Sequence, residues 1–246
     1  MSPVSEQAIW HDIECGHYEA DMPLWRELAA CADGPILEIG AGTGRIALDL
    51  ARRGHRVVAV EIEPELATAL RSRAAALPID VVCADITDGG PAGTFALILA
   101  PMQVIQVLGG RRERLAMLRH ARACLRPGGS LVVAFVETVG DTELAFGPSD
   151  LTQQEDTLVL DRSTYTSRAI SVRFSRRAIQ IVRERRTRGP AGGERRSRSH
   201  QVLDVLTQAR VIAEAADAGL SLRRIHEIPG SDHDSACSAI AFGAEP

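Results

Sequence analysis

The residues best suited to chemistry in this 246-residue chain are a glycine-rich run and two acidic residues that follow it. The run, EIGAGTG over residues 38–44, lies between a short apolar segment and an amphipathic one. Glycines let a backbone turn sharply and let a ligand lie against it, and a helix that begins there presents unpaired N–H groups. Glu61 lies 21 residues after Gly40, where a carboxylate can accept hydrogen bonds from both hydroxyls of a ribose, and Asp85 follows the next apolar segment. The pattern predicts an adenosine-type cofactor.

The acid that precedes the glycines distinguishes between kinds of cofactor. A dinucleotide-binding oxidoreductase would need the spacing GxGxxG, whereas the spacing here is GxGxG, and Glu38 would repel a pyrophosphate. The same carboxylate could hold an ammonium group. Each acid also has a structural alternative, since Glu38 could pair with an arginine, Glu61 could cap the next helix, and Asp85 could cap a turn.

Composition excludes several classes of chemistry. All 28 basic residues are arginine, so no lysine can form a Schiff base, act as a general base or bind phosphate in a P-loop. The formal net charge of −4 gives no global positive field that would draw the chain to nucleic acid or an anionic membrane. The five cysteines are widely spaced without a CxxC pattern, so we predict reduced thiols and no metal site. Because no apolar run resembles a signal peptide or a membrane span, we expect a cytoplasmic protein.

Alternating strand and helix patterns predict an α/β core. Two helices are predicted over residues 6–31, and a long helix over 111–125 ends at the Pro-Gly-Gly of residues 127–129. Strands that alternate with helices at this pitch indicate βαβ units and a parallel sheet covered on both faces. The predicted core strands are residues 36–39, 57–60, 79–83, 95–99 and 131–136.

The pattern changes after residue 150 to β-branched alternation without helices, which predicts an antiparallel insertion. A helix over 208–218 then resumes the α/β pattern, and a closing strand pair surrounds a polar turn at residues 230–234. The predicted strands of the insertion are residues 157–160, 169–174, 179–185 and 199–206, and those of the closing pair are 222–228 and 236–242.

Four segments, ILEIGAGTG, VVAVEIEP, ADI and LRPGGSLVVAF, occur in this order and resemble the class I S-adenosylmethionine-dependent methyltransferases over most of residues 35–140. The resemblance implies S-adenosylmethionine as the cofactor and S-adenosylhomocysteine as its product. It also implies a Rossmann-like α/β fold, in which a seven-stranded sheet is mostly parallel and has an antiparallel last strand. One methyltransferase domain over 1–246 would comprise N-terminal lid helices, a cofactor-binding core, the antiparallel insertion, and a closing helix with a strand pair. These parts are assigned to residues 1–33, 34–140, 150–206 and 207–246, respectively.

The same resemblance implies a set of cofactor-binding residues. The glycines would form the wall of the cofactor's methionine part, with Glu38 near its amino group. Glu61 would bind the ribose hydroxyls, Ile62 would flank the adenine, and the residues after the third strand would contact the adenine edge and face. The complete set is Glu38, Gly40, Ala41, Gly42, Gly44, Glu61, Ile62, Asp85, Ile86 and Ala100.

The fourth strand bears on the acceptor. Family members that methylate DNA bases or protein amides carry an Asn- or Asp-Pro-Pro-aromatic motif there, whereas this chain reads Ala-Pro-Met-Gln over residues 100–103. Ala96 stands where many relatives have Asp, and no Pro-Cys nucleophile for pyrimidine methylation is present. Base modification of these kinds is therefore disfavoured. Gln103 and Gln106 follow the strand and are predicted to line a substrate pocket.

Methyl transfer from a sulfonium depends mainly on alignment, and a base is needed only if the acceptor must lose a proton. Without lysine, the candidate bases are His11, His17, Tyr18, Glu137, His200 and His233. We predict catalytic roles for His17 and Tyr18, at the junction of the N-terminal helices, and for Glu137, at the end of the fifth strand where α/β sheets collect ligands. A surface histidine or a helix cap is the structural alternative for each.

The arginine strip, residues 183–198, contains seven arginines and allows two interpretations. It could bind RNA or a phosphorylated substrate, or it could be a solvated hairpin whose charge prevents edge-to-edge pairing. The strip has no aromatic residue for base stacking, which favours the second interpretation. We therefore predict a small-molecule methyltransferase, monomeric or homodimeric, without nucleic-acid or membrane partners. The alternatives are an RNA-binding methyltransferase-like module and an enzyme that uses the cofactor in another reaction, such as a cyclisation.

Overall fold

A computed structural model describes residues 4–137, 155–228 and 237–244. Its helices are α1 (Glu6–Cys15), α2 (Met22–Ala30), α3 (Arg45–Arg52), α4 (Pro64–Arg73), α5 (Val104–Val107), α6 (Arg111–Cys124) and α7 (Gln208–Asp217). Its strands are β1 (Ile36–Ile39), β2 (Val57–Glu61), β3 (Ile79–Cys83), β4 (Phe95–Ala100), β5 (Leu125–Val136), β6 (Glu155–Leu160), β7 (Ser163–Phe174), β8 (Ala178–Arg188), β9 (Glu194–Asp204), β10 (Leu220–Ile228) and β11 (Cys237–Ala244). No helix within these three ranges is long and apolar enough to cross a membrane.

The core is a seven-stranded sheet in the order β10-β11-β5-β4-β1-β2-β3. Strands β1 to β5 are parallel, and β11 is antiparallel to both β5 and β10. Every residue of β1 and β4 is buried, as expected for central strands that are covered on both faces. The predicted Rossmann-like α/β fold with an antiparallel last strand is confirmed.

The order of the strands in the sheet indicates where the candidate site lies. The chain runs outward from β1 through β2 to β3 and then returns to β4 on the other side of β1. Ligands of open α/β sheets bind at such a reversal, beyond the carboxyl ends of the strands. The loops after β1 and β4 therefore flank one crevice.

Several predicted strands begin earlier in the structure, namely those predicted at 131, 169, 199 and 222, which start at Leu125, Ser163, Glu194 and Leu220, and the first of them changes the interpretation of a motif. Helix α6 ends at Cys124 and β5 starts at Leu125, so the Pro-Gly-Gly segment belongs to the strand instead of to a turn that precedes it. Arg126 precedes Pro127, and the proline ring disfavours a helical backbone at the preceding residue. The predicted turn at residues 230–234, including the candidate base His233, lies outside the described residues.

The insertion forms a second, four-stranded antiparallel sheet in the order β6-β7-β8-β9. Its face packs on α1, where Trp10 meets Tyr165 edge-on with ring centroids 5.5 Å apart. Ile9 and Ile13 of α1 pack with Leu158 in the same apolar cluster. Helix α1 therefore lies between the insertion and the core sheet, above the crevice.

Candidate active site

The glycine loop, residues 40–44, joins β1 to α3 in a backbone that requires glycine. Gly40, Gly42 and Gly44 have φ angles of 71°, 56° and 100°, in the left-handed region. A Cβ atom at Gly40 would lie 2.6 Å from Cγ2 of Val104, and one at Gly42 would overlap the His11 ring. The missing side chains thus make room for the protein's own residues as well as for a ligand, which the sequence argument did not foresee.

Glu38 is a buried carboxyl with unused hydrogen-bonding capacity. Its side chain accepts a hydrogen bond from the Ala47 backbone in the first turn of α3, and its Oε2 atom is buried without a partner. Burial raises the pKa of Glu38 to about 8, although Arg45 opposes the shift. Arg45 itself forms a bidentate ion pair with Asp21 at 2.6 and 2.7 Å. The structural alternative, in which Glu38 pairs with an arginine, is therefore wrong among the described residues.

Glu61, at the end of β2, fixes the shape of the glycine loop. Its Oε2 accepts from the backbone N–H of Gly42 at 2.7 Å, and its Oε1 accepts from that of Glu63 at 2.9 Å. A carboxylate has about four lone-pair positions, so each oxygen can still accept a hydroxyl hydrogen. Glu61 is thus held in place by the loop that would surround the cofactor.

The residues predicted to contact adenine lie along the same edge. Oδ1 of Asp85 accepts from the backbone N–H and the hydroxyl of Thr87, at 2.8 and 2.7 Å, so Asp85 does cap a local turn. Ile86 is buried, whereas Ile62 is 56% exposed and offers an apolar surface beside the crevice. Ala100, the last residue of β4, is fully buried, and Ala41 is also buried.

These residues fit S-adenosylmethionine. Its ammonium group would satisfy the unpartnered Oε2 of Glu38, and its ribose hydroxyls match the remaining lone pairs of Glu61. An ammonium group would also favour ionisation of the Glu38 carboxyl, whereas a pyrophosphate would be repelled by the Glu61 carboxylate. The cofactor role of each residue remains a prediction.

A cavity of about 410 Å³, the acceptor cavity, adjoins this edge beneath the insertion. Its wall combines α1, the loop after β4, the end of β5, strands β8 and β9, and the start of β11. The lining residues are Gln7, His11, Glu14, Cys15, Tyr18, Met102, Gln103, Val136, Ile181, Arg183, Arg185, Ser199, His200, Gln201, Leu203 and Cys237. Met102, directly after β4, has a φ of 50°, which costs a residue with a side chain about 1–2 kcal/mol and indicates that the loop conformation is imposed by its surroundings.

The structure separates the three predicted catalytic residues. Tyr18 lines the acceptor cavity, and its hydroxyl contacts Sγ of Cys237 at 3.7 Å. His17 is exposed and lines a different groove, outside α3. Glu137 accepts hydrogen bonds from the backbone and the side chain of Gln208, so it binds the start of α7 and the structure does not place it on the cavity wall.

The two predicted substrate-binding glutamines also differ. Gln103 lines the acceptor cavity. Gln106 is fully buried, accepts from the N–H of Val136 at 2.9 Å, and donates to the carbonyls of Val136 and Asp204 at 3.2 and 3.0 Å. Placing Gln106 in a substrate pocket is therefore wrong, because its amide joins β5 to the end of β9 inside the protein.

Similarity to known proteins agrees with this geometry. A family model described as a methyltransferase domain matches residues 36–129, which hold the glycine loop, Glu61 and Asp85. Streptomyces venezuelae DesVI has the same fold, with a TM-score of 0.75 at 17% identity over 99% of this chain and 100% of that one. The S-adenosylmethionine-bound CalS10 of Micromonospora echinaspora, an amino pentose methyltransferase, gives 0.68 at 19% identity over 98% and 97%. Residues 36–129 therefore match a methyltransferase domain, and nearly the whole chain shares the fold of an S-adenosylmethionine-bound methyltransferase.

Two curated relatives match this chain over shorter segments. A ubiquinone biosynthesis O-methyltransferase of Xanthomonas axonopodis pv. citri is 28% identical over 119 residues, which are 47% of each chain. An rRNA adenine N-6-methyltransferase of Saccharopolyspora erythraea is 41% identical over 68 residues, 27% of this chain and 18% of that protein. The chain spans about half of the first relative's length and less than a fifth of the second's.

The arginine strip is largely occupied by acidic partners. Arg185 forms a bidentate pair with Glu14 at 2.8 and 2.7 Å, and Arg195 pairs with Glu6, so two of the arginines hold α1. Arg183 bonds to Ser167 on the neighbouring strand β7 and to Asp156 on β6, the strand beyond it. Further pairs within the strip are Arg186 with Glu184, and Arg188 and Arg196 with Glu194.

A polar chain that sequence analysis missed links α1 to the glycine loop. The hydroxyl of Thr43 donates to Asp12 at 2.6 Å and lies 3.3 Å from Nδ1 of His11, and Arg73 pairs with Asp12. His11 was only one of six candidate bases. Asp12, next to His11 in the sequence, was the only local indication of this polar chain. Its other members, Thr43 of the glycine loop and Arg73 of α4, are distant in the sequence.

Proposed function

We propose that this methyltransferase transfers a methyl group from S-adenosylmethionine to a small polar acceptor in the acceptor cavity. The observation that carries the proposal is the position of that cavity, directly beyond the carboxyl edge of the sheet and next to the glycine loop. Its volume of about 410 Å³ is in the range of small-molecule sites and too small for a folded RNA. Helix α1 and the insertion cover it and would keep water from the reacting atoms.

We infer that the acceptor is an amine, with an amino sugar as the favoured class. The cavity wall is rich in groups that hydrogen-bond hydroxyls, such as Gln103, His200 and Gln201. CalS10, which shares the fold over nearly the whole chain, is an amino pentose methyltransferase. This likeness supports the substrate class only by analogy, and the wall residues supply the physical argument.

Different residues of the chain would hold different parts of the cofactor and the acceptor. S-adenosylmethionine, when bound, supplies a methyl group that is activated by its sulfonium. Glu38 would hold the amino end of the cofactor, and Glu61 would hold its ribose, which fixes the direction in which the methyl group points. Gln103 would orient the acceptor from the opposite wall. Alignment of this kind accounts for several kcal/mol of barrier lowering.

Calorimetry provides the first test. S-adenosylmethionine should give a binding isotherm that Glu61→Ala abolishes, whereas Asp49→Asn, an acid-to-amide change on the outer surface of α3, should leave it intact. NADH should give no heat. No binding heat with S-adenosylmethionine together with clear binding heat with NADH would refute the proposal.

A product assay separates methylation from the other reactions. The protein is incubated with S-adenosylmethionine and a panel of glucosamine, galactosamine and their nucleoside diphosphate derivatives, and the products are weighed by mass spectrometry. Replacement of one amine hydrogen by a methyl group, with release of S-adenosylhomocysteine, is the expected result. A product of unchanged composition would indicate a cyclisation or another rearrangement.

RNA binding is disfavoured by the ion pairs of the arginine strip, since each arginine that binds an acid of the same chain is less available for a phosphate. The triple change Arg195→Ser, Arg196→Ser and Arg198→Ser tests this. Little RNA retention at low salt by the unaltered protein is expected. Strong retention that the triple change removes would favour the RNA-binding alternative.

A further inference from the structure

We propose that His11 accepts, at Nε2, the proton that the acceptor loses on methylation, and that Thr43 and Asp12 position its ring. The inference rests on the proposed function and adds the proton acceptor to it. It gives the substrate class one further property, because the reacting atom must carry an N–H or O–H hydrogen.

The location of His11 is the first argument. The residue lines the acceptor cavity, and its ring also lies on the glycine loop, where the Cε1–Nε2 edge occupies the space that a Cβ atom of Gly42 would fill. Cofactor and acceptor must meet where these two surfaces join. A base has to be within hydrogen-bonding reach of the proton that it removes, and His11 is at that junction.

Hydrogen bonding determines which nitrogen is available. Asp12 is an ionised carboxylate and can only accept, so the Thr43 hydroxyl, at 2.6 Å, must donate its hydrogen to Asp12. The Thr43 oxygen then accepts from His11, whose Nδ1 lies 3.3 Å away. The Nδ1 atom therefore carries the hydrogen in neutral His11, and Nε2 keeps the lone pair that can take a proton.

Burial, more than the surrounding charges, keeps the His11 ring neutral at pH 7. Burial lowers the pKa of His11 below its ordinary value of 6.5, and the nearby carboxylates only partly oppose this. Burial alone would raise the pKa of Asp12, but the hydrogen bonds from Arg73 and Thr43 outweigh it and keep the carboxyl ionised. The charged and titratable groups that face His11 or share its cavity are Asp12 and Glu14 of α1, Arg45 of α3, Arg73 of α4, Arg183 and Arg185 of β8, and His200 of β9.

Other candidate bases fit less well. Glu137 lies at the start of α7, with both carboxylate oxygens bonded to Gln208. Tyr18 directs its hydroxyl to Sγ of Cys237, 3.7 Å away at the start of β11. His200 lines the cavity from β9 but is exposed to solvent, and its contacts do not extend to the glycine loop among those described.

Methyl transfer to the acceptor atom is accompanied by the loss of one proton from that atom. The lone pair of the acceptor atom forms a bond to the methyl carbon, the carbon–sulfur bond breaks, and its electron pair stays on sulfur. The proton of the acceptor atom moves to Nε2 of His11, which becomes an imidazolium and later releases the proton to solvent. S-adenosylhomocysteine leaves as the neutral thioether.

The test combines NMR with kinetics. Protein labelled with ¹⁵N-histidine is titrated, and the His11 signals are assigned by their absence in His11→Asn. We expect a neutral ring at pH 7 with its hydrogen on Nδ1 and a titration midpoint below 6.5. Thr43→Ser should preserve this tautomer, and Thr43→Val should lose the preference for it.

Kinetics are measured with the amine panel. We expect His11→Asn to lower kcat about 100-fold or more and to remove the limb of the kcat/KM profile that titrates below pH 6.5, which is separate from the titration of the acceptor amine at higher pH, while S-adenosylhomocysteine affinity is retained. His55→Asn, a histidine change at the opposite edge of the sheet, is the matched control and should keep the limb. An unchanged pH profile in His11→Asn, or a hydrogen on Nε2 at pH 7, overturns the base while methylation stands. A wild-type protein that binds the cofactor but methylates no acceptor overturns the proposed function and the base together.

Discussion

Replacement of Glu38 by Gln should change how the stability of the protein depends on pH. The substitution keeps a neutral polar group of similar shape next to the Ala47 N–H but removes the titrating carboxyl. In the folded protein, burial raises the pKa of Glu38 to about 8, whereas an unfolded chain gives a glutamate its ordinary value of 4.5. Between these two pH values the folded state retains a proton that the unfolded state has released.

The sign and size of the effect follow from this difference. The stability contributed by the protonated carboxyl is complete below pH 4.5 and is lost as the pH rises towards 8, because the unfolded state is the one that releases the proton. Each pH unit in this window corresponds to about 1.4 kcal/mol. From pH 5.5 to 7.5, Glu38→Gln should therefore gain about 2–3 kcal/mol relative to wild type.

Urea unfolding at a series of pH values measures this difference. Asp49→Asn is the control, since ion pairing with Arg26 lowers the pKa of Asp49 and its titration lies below the tested range. Parallel stability curves for wild type and Glu38→Gln would refute the reasoning. In the wild type, S-adenosylhomocysteine should bind with proton release at pH 7, seen as a dependence of the binding enthalpy on the buffer, and Glu38→Gln should bind it more weakly without that release.

Further predictions concern the contacts that hold the site together. Arg114→Ala removes the bidentate partner of buried Glu214, which then has only the 3.2 Å contact with Arg210, and should lower the free energy of unfolding by about 3–5 kcal/mol, whereas Arg114→Met combined with Glu214→Leu should restore most of it in the same urea assay. Gln106→Ala leaves buried backbone groups of β5 unpartnered and should cost about 1–3 kcal/mol, and a loss below that range would contradict the role assigned to its amide. Arg185→Ser should lower the local opening free energy of α1 by about 1.5–3 kcal/mol in hydrogen exchange, with Arg198→Ser as an unaffected control; equal exchange in both variants would show that the ion pair does not hold α1.

Much of the fold follows from local patterns. The central strands are continuous apolar runs whose ends are marked by Gly and Pro, so β1, β3 and β4 were predicted to within one residue. Strand β5 was harder, because Pro127 and two glycines are typical of a turn, yet they lie inside the strand at an irregularity where the β4 partners pass from Leu125 directly to Ser130. The order of strands in the sheet was not predicted, since periodicity says nothing about which strands become neighbours; the family resemblance implied only seven strands with an antiparallel last one.

The candidate site shows where local reasoning ends. The cofactor edge could be predicted because its acids follow successive strands, and parallel strands bring their carboxyl ends together. The acceptor cavity could not, since it depends on α1 lying under the insertion, and that arrangement is held by pairs such as Arg185 with Glu14, 171 residues apart in the chain. Gln103 and Gln106 show the same effect of packing for two residues that are close in the sequence. Both follow β4 and look equivalent in the sequence, but one helical turn directs the first into the cavity and the second into the interior. Packing between distant segments therefore decides which polar residue can meet a substrate. His11 is the residue for which we propose a chemical role, because α1 places its ring against both the glycine loop and the acceptor cavity.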